Sequence, residues 1–121
     1  MSQKIGATFR IQPLKNRALK RPGNKMQTVI LELNCKPGMR PVLLEALAGS
    51  LGDTRAYKGC KLVETYVDAD DENRVILYEK WDHRDSQGAY MQWRVETGMV
   101  EGMEPILAEP ARVLHFLSHP A

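Results

Sequence analysis

Two histidines and one glutamate are the side chains of this sequence best placed to accept a proton near neutral pH. His115 lies within an apolar segment, His83 follows Trp81 where a strand passes into a helix, and Glu64 lies two residues before Tyr66. Histidine titrates close to neutrality, and a glutamate does so when burial raises its pKa. We expect His115 to be the base, with His83 and then Glu64 as alternatives. A packed histidine without a catalytic role is the competing interpretation of His115.

The role of Glu64 depends on which face of its strand meets the helices. Glu64 and Tyr66 share one face, because alternate residues of a strand point the same way. Against helices, Glu64 would be a buried base. Against a partner subunit it would pair with an arginine, and we favour a position at that interface or at its rim. Glu79 presents the same choice, since it shares a face with Leu77 and Trp81.

Aromatic side chains lie near these candidate bases. Tyr90 and Trp93 are three residues apart and share a face of the predicted second helix, while Trp81 ends the strand before it. With Tyr66, they are the residues that we expect to bind a substrate ring. Packing in the core is the alternative, because large aromatic residues often provide it.

The sequence does not predict a metal site. Cys35 and Cys60 are the only cysteines, they have no CxxC spacing, and no histidine pair completes a zinc pattern. We favour two buried thiols, and a disulfide between neighbouring strands remains the alternative. No phosphate-binding loop or nucleophile–base pair is recognisable either.

The candidate residues lie on a β-α-β-β-α-(α)-β series of predicted elements. Strands are predicted at 27–35, 59–68, 74–81 and 111–117, and helices at about 41–56 and from Asp85 or Ser86, as the cap, to about Thr97. Gly98 closes the second helix, and a short helix follows until Pro105 interrupts it. This order predicts an α+β, ferredoxin-like split βαβ fold with a four-stranded antiparallel sheet.

Both faces of the predicted sheet carry apolar residues. Val29, Leu31 and Leu33 lie on one face of the first strand and Ile30 on the other. A sheet with helices on one side and water on the other would alternate apolar with polar residues. The face without helices should therefore meet a second copy of the chain, and we expect a homodimer.

Size and charge predict one domain that is preceded by an N-terminal arm of different charge. The 121 residues suffice for one core. Residues 1–25 form a basic extension, since seven lysines and arginines and no acid precede Met26, whereas residues 26–118 form the domain. A nucleic-acid-binding arm is disfavoured because no aromatic platform accompanies these charges. Met26 as the true start of the protein is a further alternative. No secretory signal or membrane span is recognisable, so we expect a soluble cytoplasmic protein.

Over residues 26–118 the chain resembles the antibiotic biosynthesis monooxygenase family, whose members form dimeric α+β barrels. The resemblance rests on short motifs in a shared order: Lys36-Pro37-Gly38 after the first strand, Gly59-Cys60 ahead of Glu64-x-Tyr66, the acidic turn at 68–73, Tyr78-Glu79-x-Trp81, and Glu109-Pro110 before the last strand.

The resemblance implies a cofactor-independent monooxygenase that needs no cofactor or metal. In such enzymes a deprotonated phenolic, quinol or anthrone-like substrate reduces dioxygen itself. The implied partners are therefore an aromatic small molecule and dioxygen, with no membrane. A non-catalytic dimeric protein that binds a hydrophobic small molecule, with a role in stress, is the alternative function.

The second helix departs from the family pattern. Many members have a histidine where this sequence has Trp93. A tryptophan there resembles the haem-degrading branch, but Met103 occupies the position of its iron-binding histidine, and Leu31 that of its asparagine. Haem degradation is therefore the least favoured function.

Overall fold

The computed structural model describes residues 25–121, which form four strands and three helices. Their order along the chain is β1 (Gln27–Asn34), α1 (Arg40–Ala56), β2 (Cys60–Val67), β3 (Arg74–Trp81), α2 (Arg84–Glu96), α3 (Met99–Gly102) and β4 (Arg112–Phe116). None of the helices in this range is long and apolar enough to span a membrane. The predicted basic extension, except Lys25, lies outside the described residues.

The four strands form one antiparallel sheet in the order β2-β3-β1-β4. The central strands β1 and β3 pair from Gln27 with Trp81 to Asn34 with Arg74. This topology confirms the predicted ferredoxin-like split βαβ fold. Each predicted strand is found, with ends that differ by at most one residue.

One face of the sheet packs against the helices, and we call it the helix face. Helix α1 contacts β2, and α2 contacts β3. The main core lies under α1, where leucines at helical spacing meet strand residues: Leu33, Cys35, Leu43, Leu47, Leu51, Val63, Val75 and Leu77. A second cluster of Val29, Trp81 and Tyr90 lies under α2. Both cysteines are free thiols; Cys35 is buried and Cys60 half-buried.

The opposite face, which we call the open face, is not covered by either long helix. The pairing register places on it Thr28, Ile30, Glu32, Leu62, Glu64, Tyr66, Arg74, Ile76, Tyr78, Lys80, Arg112, Leu114 and Phe116. Tyr66 and Phe116 are about half exposed, at 48% and 49%. Apolar residues on both faces are therefore present as predicted.

The start of α2 differs from its prediction. The helix begins at Arg84, after the N-cap residue His83, and no side chain caps it. The prediction that Asp85 or Ser86 would cap the helix is wrong, because both lie in its first turn and Ser86 packs beside Gly59. The predicted end is confirmed, since the chain turns out of the helix at Gly98, where φ is +85°.

Gly59 positions the start of β2 against the start of α2. Its φ is +94°, and an added Cβ would lie 2.5 Å from Ser86 Cβ and 2.6 Å from Asp82 Oδ1. We expect Gly59→Ala to lower the free energy of unfolding by roughly 2 to 4 kcal/mol, since it adds a clash to backbone strain.

Gly38 offers a matched control for this prediction. Its φ is +80°, but a Cβ there would have no atom within 4 Å. Gly38→Ala should therefore cost only the strain, about 1 kcal/mol. Urea denaturation of both variants measures the difference, and equal losses would contradict the close contact at Gly59.

Candidate functional site

Four aromatic rings form a cluster between α2, the end of β3 and the residue after α1. Trp81 and Tyr90 have centroids 5.2 Å apart, Tyr57 lies 5.3 Å from Tyr90, and Trp93 lies 5.5 Å from Tyr57. Trp81 is fully buried and Tyr90 nearly so, whereas Tyr57 and Trp93 are half-buried. We call these four residues the aromatic cluster. Its inner half is core packing, and its outer half, Tyr57 and Trp93, is accessible to a ligand.

Glu79 is a buried carboxyl beside this cluster. Its side chain lies on the helix face, only 2% exposed, and Oε1 accepts a hydrogen bond of 2.7 Å from Trp81 Nε1. Desolvation raises the pKa of Glu79 to about 7, and the hydrogen bond from Trp81 opposes this rise. Glu79 therefore exchanges a proton in the neutral range, as a general base must.

His115 lies in the same row of the sheet as Glu79. The register places Val63, Glu79, Val29 and His115 side by side across the four strands. Burial, together with the charge of Arg84, lowers the pKa of His115 to about 4. Its imidazole is therefore neutral at pH 7 and a weaker base than Glu79, and its buried Nδ1 has no hydrogen-bond partner.

The two other candidate bases lie outside this row. Glu64 and Tyr66 lie on the open face, where the Tyr66 hydroxyl donates a hydrogen bond of 2.6 Å to Glu64 Oε1. The structure therefore separates them from Trp81, Tyr90 and Trp93 by the thickness of the sheet. His83 is the half-buried N-cap residue of α2, next to the end of β3.

A second buried polar group, the guanidinium of Arg94, joins the aromatic cluster to α1. Its Nε donates a hydrogen bond of 2.7 Å to the Tyr90 hydroxyl, and its Nη2 donates to Ser50 O at 2.8 Å and to Thr54 Oγ1 at 3.1 Å. Tyr90 and Thr54 hydroxyls are 2.6 Å apart. The guanidinium also lies over the Trp93 ring, 4.7 Å from its centroid. This network fixes Tyr90 and Trp93 relative to α1.

The aromatic cluster does not line the best-formed clefts of the structure. The two best-formed clefts among residues 25–121, about 160 and 270 Å³, are lined by α1 and β2 and by no cluster residue. On the helix face, however, Leu31, Val113 and His115 are only half-buried, as is Met91 on α2. The helix face beside α2 is therefore partly accessible to solvent.

An unpaired amide adds polar character to this region. Gln87 is 3% exposed, and its Nε2 has no hydrogen-bond partner. Such groups are rare in folded proteins, because a buried donor without a partner costs about 1 to 3 kcal/mol. A ligand oxygen would satisfy it.

Of the four predicted ring-binding residues, the structure brings Trp81, Tyr90 and Trp93 together, whereas Tyr66 lies on the open face. Sequence reasoning left Glu79 undecided between two faces, and it did not identify Arg94 or Gln87. One signal was available: Gln87, Tyr90 and Arg94 recur at i, i+3 and i+7, which is one face of a helix, and these are the buried residues of α2.

Met103, at the position of a haem ligand in the haem-degrading branch, ends α3 and packs against the main core. Within residues 25–121, no group of three or more histidine, cysteine, aspartate or glutamate side chains is arranged to hold a metal ion.

The comparisons with known proteins agree on a fold. The family model described as "Antibiotic biosynthesis monooxygenase" matches residues 26–102. No functionally curated protein matches the chain at a significant level.

Solved structures show the same architecture at low sequence identity. The protein PA3566 from Pseudomonas aeruginosa superposes with a TM-score of 0.69 at 18% identity, covering 80% of this chain and 97% of that one. Rv0793 from Mycobacterium tuberculosis gives 0.60 at 23% identity, covering 80% and 100%. An antibiotic biosynthesis monooxygenase gives 0.69 at 19% identity, covering 78% and 99%. At these identities the likeness shows the fold alone.

Proposed function

Because this chain belongs to the antibiotic biosynthesis monooxygenase family, we propose that it is a cofactor-independent monooxygenase of a phenolic, quinol or anthrone-like molecule. The observation that carries the proposal is the position of Glu79, a buried carboxyl with a pKa of about 7 beside a cluster of aromatic rings. Enzymes hold general bases near the working pH by burial of this kind.

The proposed reaction needs one base and an electron-rich substrate. Glu79 removes a proton from the activated CH₂ group of an anthrone, or of the keto tautomer of a phenol or quinol. The carbanion reduces dioxygen, and the two combine to a carbon-bound peroxide. Glu79 returns its proton to the peroxide, which then loses water. The sum converts CH₂ and O₂ into C=O and H₂O, so no external reductant is required.

The remaining candidate residues bind and orient in this scheme. Trp93 contacts the substrate ring, Tyr90 packs behind it, and Trp81 donates its indole hydrogen bond to Glu79. Neutral His115, with an unpaired Nδ1, offers a hydrogen-bonding group to a substrate oxygen. His83, at the N-cap of α2, is the alternative proton acceptor.

Oxygen uptake with a panel of dihydroquinones and anthrones tests the proposal. We expect at least one to be consumed with one O₂ per molecule, at a rate proportional to protein concentration and above the rate of spontaneous oxidation. Rates that match spontaneous oxidation for the whole panel would contradict it.

A second function is supported by the filled interior of the aromatic cluster. Trp81 is fully buried and Tyr90 is only 7% exposed, so the inner half of the cluster is packed. This suits a protein that holds a hydrophobic molecule at the edge of the cluster without turnover. Tight binding of an aromatic ligand without oxygen uptake would identify this function.

We also propose that the open face pairs with a second copy to form a homodimer. The proposal is supported by the apolar residues Ile30, Ile76 and Leu114, which no element among the described residues covers. We expect Ile76→Arg to shift the protein from dimer to monomer in sedimentation velocity, because two like charges would face each other across the interface.

Val67→Arg is the control for this variant. Val67 is 48% exposed and lies at the end of β2 on the helix face, opposite Val75. The Val67→Arg variant should remain a dimer. A monomeric wild type, or dimers in both variants, would contradict the assignment of this face.

A further inference from the structure

Arg94 is a buried cation that lacks an anionic partner. Arg94 is 7% exposed, and within residues 25–121 its hydrogen bonds are accepted by a tyrosine hydroxyl, a threonine hydroxyl and a backbone carbonyl. Each ion pair among the described residues, to a limit of 4.0 Å, involves Arg74 or Arg112 instead. Arginine is almost never buried unless it is paired, since neutral acceptors do not cancel its charge.

The rest of the chain does not supply the missing charge. Residues 1–24 contain no aspartate or glutamate, whatever their position. The acids of residues 25–121 all lie beyond ion-pair distance of Arg94. An anion that pairs with Arg94 would therefore have to come from another molecule.

The guanidinium has one nitrogen left for such an anion. Arginine has five N–H donors, one on Nε and two on each Nη. Nε and Nη2 make the three bonds described above, and Nη1 makes none with residues 25–121. Although Nη1 has no partner in this range, it is not fully buried, so it reaches the surface. An incoming oxyanion would meet Nη1 at a single point.

The ring of Trp93 lies beside the Arg94 guanidinium. The Arg94 guanidinium is 4.7 Å from the centroid of the Trp93 ring, which is half-buried and borders the outer part of the aromatic cluster. An anion on Nη1 therefore has an aromatic surface beside it. A ligand that combines a ring with an oxyanion satisfies both groups at once.

We propose that Arg94 and Trp93 form an anion-binding subsite that selects ligands carrying a carboxylate on an aromatic ring. This names the ligand class of the proposed function and rests on a ligand binding at the aromatic cluster, but it does not depend on turnover. Arg94 has a second role as a structural link between α2 and α1, through Ser50 and Thr54.

The test compares two ligands that differ only in charge, 2-naphthoate and 2-naphthamide, by isothermal titration calorimetry without oxygen. The wild type should bind 2-naphthoate roughly tenfold more tightly than the amide, because a charge-assisted hydrogen bond replaces a neutral one. Rising salt should reduce this preference. Equal binding of the two ligands, or binding of neither, would overturn the proposal.

Three variants locate the subsite. Arg94→Met should abolish the preference for the acid. Arg94→Lys keeps the charge and disturbs the fold less, so it should retain part of the preference. Arg55→Met removes an equal charge from the exposed end of α1, beside another cleft, and should retain all of it. Loss of the preference in Arg55→Met, or its survival in Arg94→Met, would overturn the assignment.

Two further outcomes separate this inference from its neighbours. If Arg94→Met instead dissociates the homodimer and the wild type has no preference for the acid, the anion belongs to the partner subunit and the subsite is disproved. If Glu79→Gln binds 2-naphthoate like the wild type while no substrate is oxidised by the wild type, the subsite stands and the monooxygenase proposal fails.

Discussion

Replacing Glu79 with glutamine is expected to reduce oxygen uptake at pH 8 by a factor of about 10² to 10⁴, the usual contribution of a general base. Glutamine keeps the shape of the side chain and can still accept the hydrogen bond from Trp81 Nε1, but it cannot take a proton. The measurement is kcat/KM for the best substrate of the dihydroquinone and anthrone panel, corrected for spontaneous oxidation. Unchanged kcat/KM would show that Glu79 is not the base.

Two comparisons sharpen this result. Glu45→Gln changes the same charge on the exposed surface of α1 and should leave kcat/KM unchanged. Glu64→Gln addresses the rival base on the open face, and a loss of activity there with full activity in Glu79→Gln would reverse the assignment.

The same substitution should change stability in a direction fixed by the pKa. The folded-state pKa of Glu79, about 7, lies above its ordinary value of 4.5. Between these values the folded state holds a proton that the unfolded state has lost, so the free energy of unfolding falls as the pH rises. The loss amounts to roughly 3 kcal/mol and is complete above pH 7. Glu79→Gln should remove this part of the pH dependence, which urea denaturation at pH 5 and pH 8 measures.

The second large effect is expected at Trp81. Its side chain is fully buried between Tyr57, Tyr90 and the sheet, with ring centroids 6.4 and 5.2 Å away. Trp81→Ala should lower the free energy of unfolding by roughly 3 to 5 kcal/mol, because it removes the indole and leaves a cavity. It also removes the hydrogen bond to Glu79, so activity should fall as well.

Trp93→Ala is the matched control within the same aromatic cluster. Trp93 is half-buried, so its loss should cost only about 1 to 2 kcal/mol. Its effect should instead be a raised KM, since it contacts the proposed ligand. Similar destabilisation by both substitutions would contradict the division of the cluster into an inner core and an accessible edge.

The fold was predictable because local signals agreed along the chain. Leucines at helical spacing defined α1, the acidic turn at 68–73 separated β2 from β3, and apolar residues on both faces of β1 indicated two covered surfaces. The predicted start of α2 was wrong, because a tertiary contact determines where that helix begins. Ser86 had the right chemistry for an N-cap, but it packs beside Gly59 within the first turn.

The candidate site was less predictable, because its properties depend on which face of the sheet the helices cover. Glu64 and Glu79 have similar sequence surroundings, each two residues from an aromatic side chain. The register places them on opposite faces, and Glu79 is the one buried against the helices. Arg94 was missed for a related reason: a charged residue on a helix is ordinarily exposed, and its burial becomes evident only when Tyr90, Thr54 and Ser50 surround it.

The pH dependence of oxygen uptake by the wild type and Glu79→Gln tests the central claim most directly. Because the ionised form of Glu79 is the base, kcat/KM of the wild type should rise tenfold per pH unit on the acid side and level off above an apparent pKa of about 7. The variant should lack this rise. A wild-type profile without that transition, or the same profile in Glu79→Gln, would contradict the role of Glu79.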